Sequence, residues 1–408
     1  MEVKITPFTA NGIITAPPSK SEAQRMIICA SLAKGSSFIR NIGNSNDVKE
    51  MLACVKSFGA SVEITSDGIM ITGVVKPPEK IDLHIEECGF ASRVCLPTAL
   101  SLSNEVNFTL GSKLIKRPIQ PLLDCLNANG IISDGRAYHG HLRNGVYTIN
   151  GNVSSQFVSG LLIALANVDG ISDIIIKGEQ VSKGYIDMTI DIVKKFGISI
   201  EKTHVGYRVT GKYKPKDDIT VGGDYSSAAY FLSLGALTGE ITVKGLRKEN
   251  KQPDRVIIDI LKEYGAIVKQ EDNSITVKKG ENRAIEFSCK EAPDLAPIVA
   301  VIAAFAKGKS IIRHTSRLIG KESNREQGII NMLKIADIEV EKSADEVIIH
   351  GGKPKGGRFI LPSDHRLIMA ASVLASAANG ESFVENAKSV AKSYPEFFKE
   401  LKNVGLHW

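Results

Sequence analysis

One pattern recurs along the whole chain and restricts the folds that it can adopt. An amphipathic helix stops at a glycine or an aspartate and runs into a strand. The six stops are Gly59, Gly130, Gly197, Gly265, Asp337 and Gly405, and successive stops lie 71, 67, 68, 72 and 68 residues apart. In the clearest copies the apolar residues before each stop follow the spacing i, i+3, i+4, i+7 of one buried helix face. This near-constant period predicts a molecule of six related folding units.

A second series of six helices alternates with the first and is apolar on nearly all sides, which is typical of buried helices. These helices are predicted at residues 21–33, 90–102, 155–166, 226–237, 295–306 and 365–378. Each starts at a polar or glycine position, and four have a serine or aspartate where an N-cap is preferred. Capping of core helices is the simplest interpretation. Helix N-termini also attract anions, and the basic residues beside them favour an anion-binding site.

The sixth unit has a helix but almost no chain left for strands after it. Its missing strand must then come from another part of the sequence. We expect residues 3–8 to close the same domain as the C-terminal helix.

Composition restricts the class of protein further. The chain has 408 residues, 43% of them apolar, which suggests roughly two domains of ~200 residues each. The formal charge of +6 is spread along the chain, which suits small anionic substrates better than nucleic acid.

The first residues lack the features of a signal peptide, and no apolar run reaches the ~18 residues of a membrane span. We therefore expect a cytoplasmic protein that binds neither membranes nor nucleic acid.

Six cysteines are scattered along the chain without a CxxC pair, and most lie in apolar helical stretches. This distribution predicts reduced core residues rather than a disulfide framework or a zinc site.

The segment from Ser19 to Arg25 carries the first chemical signal. Lys20 and Ser21 fall in the first turn of a helix, and Arg25 lies on the same face as Ser21. A helix N-terminus, a hydroxyl and a guanidinium together can hold a phosphate or a carboxylate. Further basic residues stand beside helix boundaries at Arg117, Lys321, Arg325, Arg366 and Lys392. Any one of these residues, taken alone, is best interpreted as a solvated surface charge.

Together these segments resemble the 5-enolpyruvylshikimate-3-phosphate synthases, a family of enolpyruvyl transferases. The matching segments are 19–25, 116–119, 154–157, 321–325 and 364–366, in the order of the family and across nearly the whole chain. The resemblance implies a two-domain inside-out α/β barrel of six repeats, three per domain, with the active site in the interdomain cleft. One domain would cover residues 19–222, and the other would join 1–18 with 223–408. The resemblance also suggests a monomer.

The resemblance implies transfer of the enolpyruvyl group of phosphoenolpyruvate to the 5-hydroxyl of shikimate 3-phosphate, without metal or organic cofactor. This reaction belongs to the shikimate pathway of aromatic amino acid biosynthesis. The positions that match contacts to shikimate 3-phosphate are Lys20, Ser21, Arg25, Ser154, Ser155, Gln156, Ser182, Tyr185, Asp294 and Lys321. Those that match contacts to phosphoenolpyruvate are Lys20, Gly89, Arg117, Gln156, Arg325, Arg366 and Lys392.

The reaction needs a proton delivered to a methylene carbon and a proton removed from a hydroxyl. Glu322 is the candidate for the acid and Asp294 for the base. Lys20 and Lys392, with Arg117 and Arg325, can stabilise the departing phosphate. The sequence alone leaves a structural role open for both residues, because Asp294 could be a helix N-cap and Glu322 a surface salt-bridge partner.

The chain departs from the family at several positions. Where most members have an Asn-x-Gly-Thr-x-x-Arg loop against phosphoenolpyruvate, this sequence reads Glu87-Cys88-Gly89-Phe90-Ala91-Ser92-Arg93, which keeps Gly89 and Arg93 but replaces Asn and Thr. An acid beside an anionic substrate repels it unless the acid pairs with a cation. We therefore expect weakened binding of phosphoenolpyruvate and of the herbicide glyphosate. Arg317, Asn324 and Ser363 also replace common family residues.

Two alternatives remain. The sister family transfers enolpyruvate to UDP-N-acetylglucosamine and usually carries a reactive cysteine on a loop before the region of Arg117. Residues 111–117 contain no cysteine, which argues against it. A non-catalytic binding homologue is favoured only by the altered loop at Glu87, and the retained basic and acidic residues argue against that.

Overall fold

The computed structural model describes residues 1–407 and divides the chain into two units. Unit 1 consists of Met1–Pro17 and Gly222–Trp408, and unit 2 of Pro18–Val221. Each unit has its own hydrophobic core. Unit 2 is continuous in sequence, whereas unit 1 is assembled from two separate stretches of chain.

The secondary structure alternates strands and helices throughout. The strands are β1 (Val3–Ile5), β2 (Asn11–Thr15), β3 (Ser36–Arg40), β4 (Ser61–Ile64), β5 (Gly68–Thr72), β6 (Lys80–Ile85), β7 (Glu105–Leu110), β8 (Ile132–Ser133), β9 (Ala137–His139), β10 (Val146–Asn150), β11 (Ser172–Lys177), β12 (Ile198–Lys202), β13 (Gly206–Gly211), β14 (Ile219–Thr220), β15 (Glu240–Lys244), β16 (Ile267–Gln270), β17 (Ser274–Lys278), β18 (Glu286–Ser288), β19 (Lys309–Arg313), β20 (Glu339–Lys342), β21 (Glu346–His350), β22 (Arg358–Phe359) and β23 (Ser382–Val384). The helices are α1 (Lys20–Leu32), α2 (Asn46–Ser57), α3 (Gly89–Leu100), α4 (Gln120–Asn127), α5 (Ser155–Leu165), α6 (Lys183–Lys195), α7 (Tyr225–Thr238), α8 (Ile257–Glu263), α9 (Ala296–Ala304), α10 (Arg325–Ile335), α11 (His365–Ala377) and α12 (Phe397–Asn403).

Each unit contains three sheets with one shared design. The strand orders are β14-β3-β5-β4, β6-β7-β9-β8 and β10-β11-β13-β12 in unit 2, and β16-β17-β15-β2, β18-β19-β21-β20 and β1-β23-β22 in unit 1. In the second sheet of unit 2, β6 and β7 are parallel and the hairpin β8–β9 adds two antiparallel strands. Parallel neighbours need a crossover, and the buried helix α3 supplies it. The six predicted folding units are these sheets with their helices.

The sheet of the sixth unit is completed from the beginning of the chain. Val3, Lys4 and Ile5 of β1 pair antiparallel with Val384, Phe383 and Ser382 of β23. Val3 and Ile5 are buried, so the pairing also adds apolar side chains to the core of unit 1. The strand expected within residues 3–8 is present at Val3–Ile5 and joins the sheet of the sixth unit.

The amphipathic series is confirmed in α2, α4, α6, α8, α10 and α12. The residues at all six predicted stops have positive φ: 97° at Gly59, 86° at Gly130, 91° at Gly197, 91° at Gly265, 60° at Asp337 and 123° at Gly405. Glycine adopts this left-handed conformation without a Cβ penalty and so ends helices efficiently. Asp337 is the exception among the six and carries that penalty.

The second series is also confirmed, as α1, α3, α5, α7, α9 and α11. Every residue of α3 and α9 is buried. Side chains of Ser19, Cys88, Ser154, Asp224 and Asp364 accept hydrogen bonds from backbone N–H groups in the first turns of the other five helices. The helix α9 is different, because a 3₁₀ turn, Pro293–Leu295, leads into it and no side chain caps it.

All six cysteines are buried and lie outside any disulfide, as predicted. Within residues 1–407, no helix is both long enough and apolar enough to cross a membrane.

Candidate active site

In unit 2, the N-terminus of α1 holds Lys20 in place. Ser19 caps the helix, and the ammonium of Lys20 lies 2.7 Å from Oδ2 of the buried Asp47. Gln24 donates to the backbone carbonyl of Asp47 at 3.0 Å and so fixes the segment that carries this carboxylate. Asp47 and Gln24 were not among the predicted site residues. Their only sequence signal is their position beside the start of α2 and on the motif helix.

Arg25 joins α1 to α6. Its guanidinium donates to Oγ1 of Thr189 at 2.8 Å and to the carbonyls of Ser21 at 2.9 Å and Tyr185 at 3.3 Å. It also stacks over the ring of Phe90, 4.3 Å from the centroid. Burial lowers the pKa of Arg25 to about 10, so the side chain stays charged at neutral pH. Phe90, a departure from the family pattern, is thus the platform on which a predicted substrate-binding arginine rests.

The guanidinium of Arg117 lies close to Gly89, so a side chain at this position would displace it. A Cβ atom at Gly89 would lie 2.0 Å from Nη1 of Arg117. Arg93 organises this neighbourhood, because it donates to the carbonyl of Gly89, to Oε1 of Gln156 and to the carbonyl of Pro118, each at 2.9 Å. Gly89, Arg117 and Gln156 are therefore brought together as predicted contacts. The sequence analysis noted Arg93 as the retained arginine of the loop motif but did not name it as a substrate contact.

Ser154, Ser155 and Ser182 stand at the starts of α5 and α6. Ser154 caps α5 by accepting from the N–H of Gln156 at 3.3 Å, and Ser155 is buried in its first turn. Ser182 has a left-handed backbone, with φ of 51°. Such strain in a residue other than glycine is uncommon and concentrates at functional sites.

Glu87 is paired with a cation. Its Oε1 lies 2.5 Å from the ammonium of Lys113, and the Glu50 carboxylate accepts from the N–H groups of Glu87 and Cys88. Because Lys113 neutralises its charge, Glu87 is not expected to repel an anionic substrate. The electrostatic reason for expecting weak binding of phosphoenolpyruvate is correspondingly reduced.

In unit 1, Arg325 is the centre of a buried network. Its side chain is 0% exposed and donates from Nη1 to Asp294 at 2.8 Å, from Nε to Asp364 at 2.8 Å and from Nη2 to Glu322. Glu322 is mostly buried, so it is not a surface salt-bridge partner. We call Asp294, Lys321, Glu322, Arg325, Asp364 and Arg366 the Arg325 cluster.

Asp294 uses both carboxylate oxygens within this cluster. Oδ1 faces Arg325, and Oδ2 accepts from Nη2 of Arg366 at 2.9 Å. Lys321 places its amine 4.0 Å from Oδ1. Since Asp294 caps no helix, the N-cap explanation for its presence falls away.

Burial shapes the protonation of the Arg325 cluster. It opposes ionisation of Asp294, but the charges of Arg366, Lys321 and Arg325 outweigh it and hold the pKa of this carboxyl far below its usual range. Burial lowers the pKa of Lys321 to about 8, because lost hydration outweighs the attraction of Asp294. Burial also disfavours the charge of Arg325, yet Asp364, Glu322 and Asp294 together raise its pKa. Arg325 is thus a permanent cation, whereas Lys321 can exchange a proton near neutrality.

Lys392 and Arg317 also lie in unit 1, outside the Arg325 cluster. Lys392 is buried at the end of the 3₁₀ turn Ala387–Lys392, which packs against α11, the helix that carries Arg366. Arg317 donates to the carbonyls of Cys289, at 3.0 Å, and Lys290. Arg317 therefore fixes the backbone shortly before Asp294.

One trio of metal-ligand type occurs within residues 1–407, on an exposed sheet face: Glu339, Glu341 and His350. Glu341 lies 2.5 Å from His350 and 3.8 Å from the amine of Lys309. This trio is explained by surface ion pairing.

The comparisons with known proteins agree with these observations. A sequence profile of EPSP synthase (3-phosphoshikimate 1-carboxyvinyltransferase) matches residues 6–401. The chain is 35% identical to the 3-phosphoshikimate 1-carboxyvinyltransferase of Clostridium kluyveri, over 99% of this chain and 97% of the relative. It is 36% identical to the enzyme of the same name from Methanococcus maripaludis strain C5, over 99% of this chain and 98% of the relative.

Solved structures share the fold. EPSP synthase from Acinetobacter baumannii superposes with a TM-score of 0.83 at 24% identity, over 99% of this chain and 98% of the other. The enolpyruvyl transferase NikO from Streptomyces tendae superposes with a TM-score of 0.78 at 16% identity, over 99% of this chain and 97% of the other. The predicted fold class, a two-domain inside-out α/β fold, is confirmed. With its profile match over 6–401 and its full-length relatives, the chain belongs to the EPSP synthase (3-phosphoshikimate 1-carboxyvinyltransferase) family.

Proposed function

We propose that this protein transfers the enolpyruvyl group of phosphoenolpyruvate to the 5-hydroxyl of shikimate 3-phosphate and releases phosphate. Membership of the family supports the reaction. The observation that carries the proposal is the Arg325 cluster, in which a fully buried arginine joins three carboxylates. Removing such a charge from water costs free energy, and ionisable groups perturbed in this way cluster at functional sites.

The Arg325 cluster offers the groups that the chemistry requires. Addition to the enolpyruvyl double bond needs an acid for the methylene carbon and a base for the attacking hydroxyl. Glu322 and Asp294 lie on two sides of the Arg325 guanidinium, and the sequence prediction gives them these two roles. Lys20 and Lys392 complete the proposed catalytic set by stabilising charge on the departing phosphate.

The remaining predicted residues bind the two anionic substrates in this proposal. For shikimate 3-phosphate these are Lys20, Ser21, Arg25, Ser154, Ser155, Gln156, Ser182, Tyr185, Asp294 and Lys321. For phosphoenolpyruvate they are Lys20, Gly89, Arg117, Gln156, Arg325, Arg366 and Lys392. The meeting of Gly89, Arg117 and Gln156 around Arg93 supports the second set.

The decisive experiment measures phosphate release by the purified protein with two substrate pairs. We expect release with phosphoenolpyruvate and shikimate 3-phosphate, and none with phosphoenolpyruvate and UDP-N-acetylglucosamine. Release with the second pair alone would assign the protein to the sister reaction. Binding of shikimate 3-phosphate without release from either pair would favour the non-catalytic alternative.

We further propose that the protein is a cytoplasmic monomer whose two domains are units 1 and 2. The separate hydrophobic cores support the domain assignment. Light scattering coupled to size-exclusion chromatography should give a mass near 44.0 kDa, and a mass of twice that value would contradict the monomer.

A further inference from the structure

The Arg325 cluster points to a base other than the one that the sequence suggested. Resting on the proposed function, we propose that the amine of Lys321 removes the proton from the 5-hydroxyl, and that Asp294 stabilises the ammonium ion that forms. Lys321 is then a catalytic residue as well as a substrate contact.

The contacts of Asp294 make it a poor proton acceptor. Oδ1 lies 2.8 Å from Arg325 and Oδ2 lies 2.9 Å from Arg366. Protonation of either oxygen would disrupt a charge-assisted hydrogen bond, and such bonds are stronger than neutral ones. The same cations keep the pKa of Asp294 far below its usual range. An efficient general base has a pKa near the working pH, which Asp294 does not have.

Lys321 meets the requirements that Asp294 fails. Of the three cations around Asp294, it is the only amine, and the two guanidiniums cannot lose a proton in a protein. Its side chain is 23% exposed, so a substrate can reach it. Burial lowers its pKa to about 8, so a substantial fraction is neutral near physiological pH.

The charged groups around Lys321 come from several elements. Asp294 faces it from the 3₁₀ turn Pro293–Leu295, Arg325 from α10 and Arg317 from the 3₁₀ turn Thr315–Leu318, while Glu322 is its neighbour in sequence. The two arginines disfavour the ammonium, and the two carboxylates favour it. At 4.0 Å, Asp294 is close enough to stabilise the ammonium without a direct hydrogen bond in the resting state.

The proton balance of the step is complete. The hydroxyl O–H bond breaks, its proton passes to Nζ of Lys321, and the oxygen electron pair bonds to C2 of the enolpyruvyl group. Glu322 first takes up a proton from solvent, and the electron pair of the C2–C3 double bond then takes that proton from it. In the second step, a proton on C3 returns to Glu322 and the C2–C3 double bond re-forms, while the bond between C2 and the phosphate oxygen breaks and its electron pair leaves on the phosphate. The departing phosphate takes up one proton from solvent, and Glu322 and the ammonium of Lys321 each release one proton to solvent, so the protons balance.

The test uses the full-length protein with two changes at one position. Lys321→Arg keeps the positive charge but cannot act as a base. Lys321→Cys followed by alkylation with bromoethylamine restores an amine of lower pKa on a side chain of similar length. Wild-type protein given the same alkylation is the matched control, since its cysteines are buried. Circular dichroism and urea denaturation of each variant report that the fold is retained.

We expect Lys321→Arg to lower kcat by about 10²–10⁴-fold, with a much smaller change in KM. The alkylated cysteine variant should recover activity, and the acidic limb of its kcat–pH profile should move to lower pH. Near wild-type kcat in Lys321→Arg, or an unmoved limb after alkylation, would overturn the role of Lys321 while leaving the proposed reaction intact. A wild-type protein that turned over neither substrate pair would overturn both.

Asp294→Asn separates the two candidate bases. If Lys321 is the base, loss of the neighbouring carboxylate lowers its pKa, and the acidic limb of the residual activity moves to lower pH. Disappearance of that limb in Asp294→Asn would return the role of base to Asp294.

Discussion

Asp294 illustrates how a residue's neighbours decide its role. The sequence places an aspartate just before a buried helix, which is the usual setting of an N-cap. Five of the six buried helices have such a side-chain cap, but α9 does not. Asp294 instead faces Arg325 and Arg366, which lie far away in sequence. Local spacing could not show this difference, because it depends on contacts made by two other helices.

Substitution of Glu322 tests its proposed role as the acid. Glu322→Gln keeps the shape of the side chain but removes its exchangeable proton, so kcat should fall by about 10²–10⁴-fold. Phosphate release measures the effect, and circular dichroism checks the fold. Glu346→Gln, on the sheet of the same unit, is the matched control and should keep wild-type activity. Near-normal turnover in Glu322→Gln would remove Glu322 from the mechanism.

Arg325 should contribute strongly to stability. It is fully buried among three carboxylates, so Arg325→Met leaves uncompensated charge in the core. We expect the free energy of unfolding to fall by roughly 3–5 kcal/mol in urea denaturation. Arg358→Met removes an exposed arginine paired with Glu2 and Glu385, and should cost less than about 1 kcal/mol. Equal losses in the two variants would contradict the structural role of Arg325.

Elements of the fold were the most predictable part, and the helix stops explain why. A left-handed residue after each amphipathic helix favours glycine, so the period was visible in the sequence. The strand β1 was predictable by elimination, since the sixth unit lacked chain for its sheet. The 3₁₀ turn before α9 was missed because Pro293 and Asp294 are equally common at ordinary helix starts.

The helix stops provide a matched pair of substitutions. Gly130 has φ of 86° with nothing within 4 Å of an added Cβ, so Gly130→Ala tests the backbone conformation alone. It should destabilise the protein by about 1–2 kcal/mol. Asp337→Gly relieves the same penalty and loses only an exposed ion pair with Lys355, so it should stabilise by up to about 1 kcal/mol. Thermal unfolding with changes of the same sign in both variants would contradict this explanation.

The whole molecule should show pH-dependent stability that involves Asp294. Its pKa is lower in the folded state than the ~3.9 of an unfolded aspartate, so its contribution is present above that value and is lost as pH falls below it. The difference in free energy of unfolding between wild type and Asp294→Asn should be constant between about pH 5 and 6, below the range in which Lys321 titrates, and should shrink below about pH 4. Urea denaturation across this range measures it, and a difference that grew on acidification would contradict the assigned pKa direction.

The buried cysteines lead to a prediction for the native protein as a whole. Burial raises the pKa of Cys29, Cys125 and Cys289 to about 12, so almost no thiolate exists at pH 8. Ellman's reagent should react slowly with the native protein and rapidly with all six thiols in guanidinium chloride. Rapid labelling of the native protein would mean that its cores open far more often than this packing suggests.

The pairing of β1 with β23 also orders events during synthesis. Unit 2 is complete once residue 221 has left the ribosome, and it can fold at that point. Residues 1–17 cannot yet fold, because their partners lie between Gly222 and the end of the chain. At ~5–20 residues per second, the ribosome needs roughly 10–40 s more to make them. Throughout that interval β1 lacks its partner β23, so we expect its apolar residues Val3 and Ile5 to be available to chaperones.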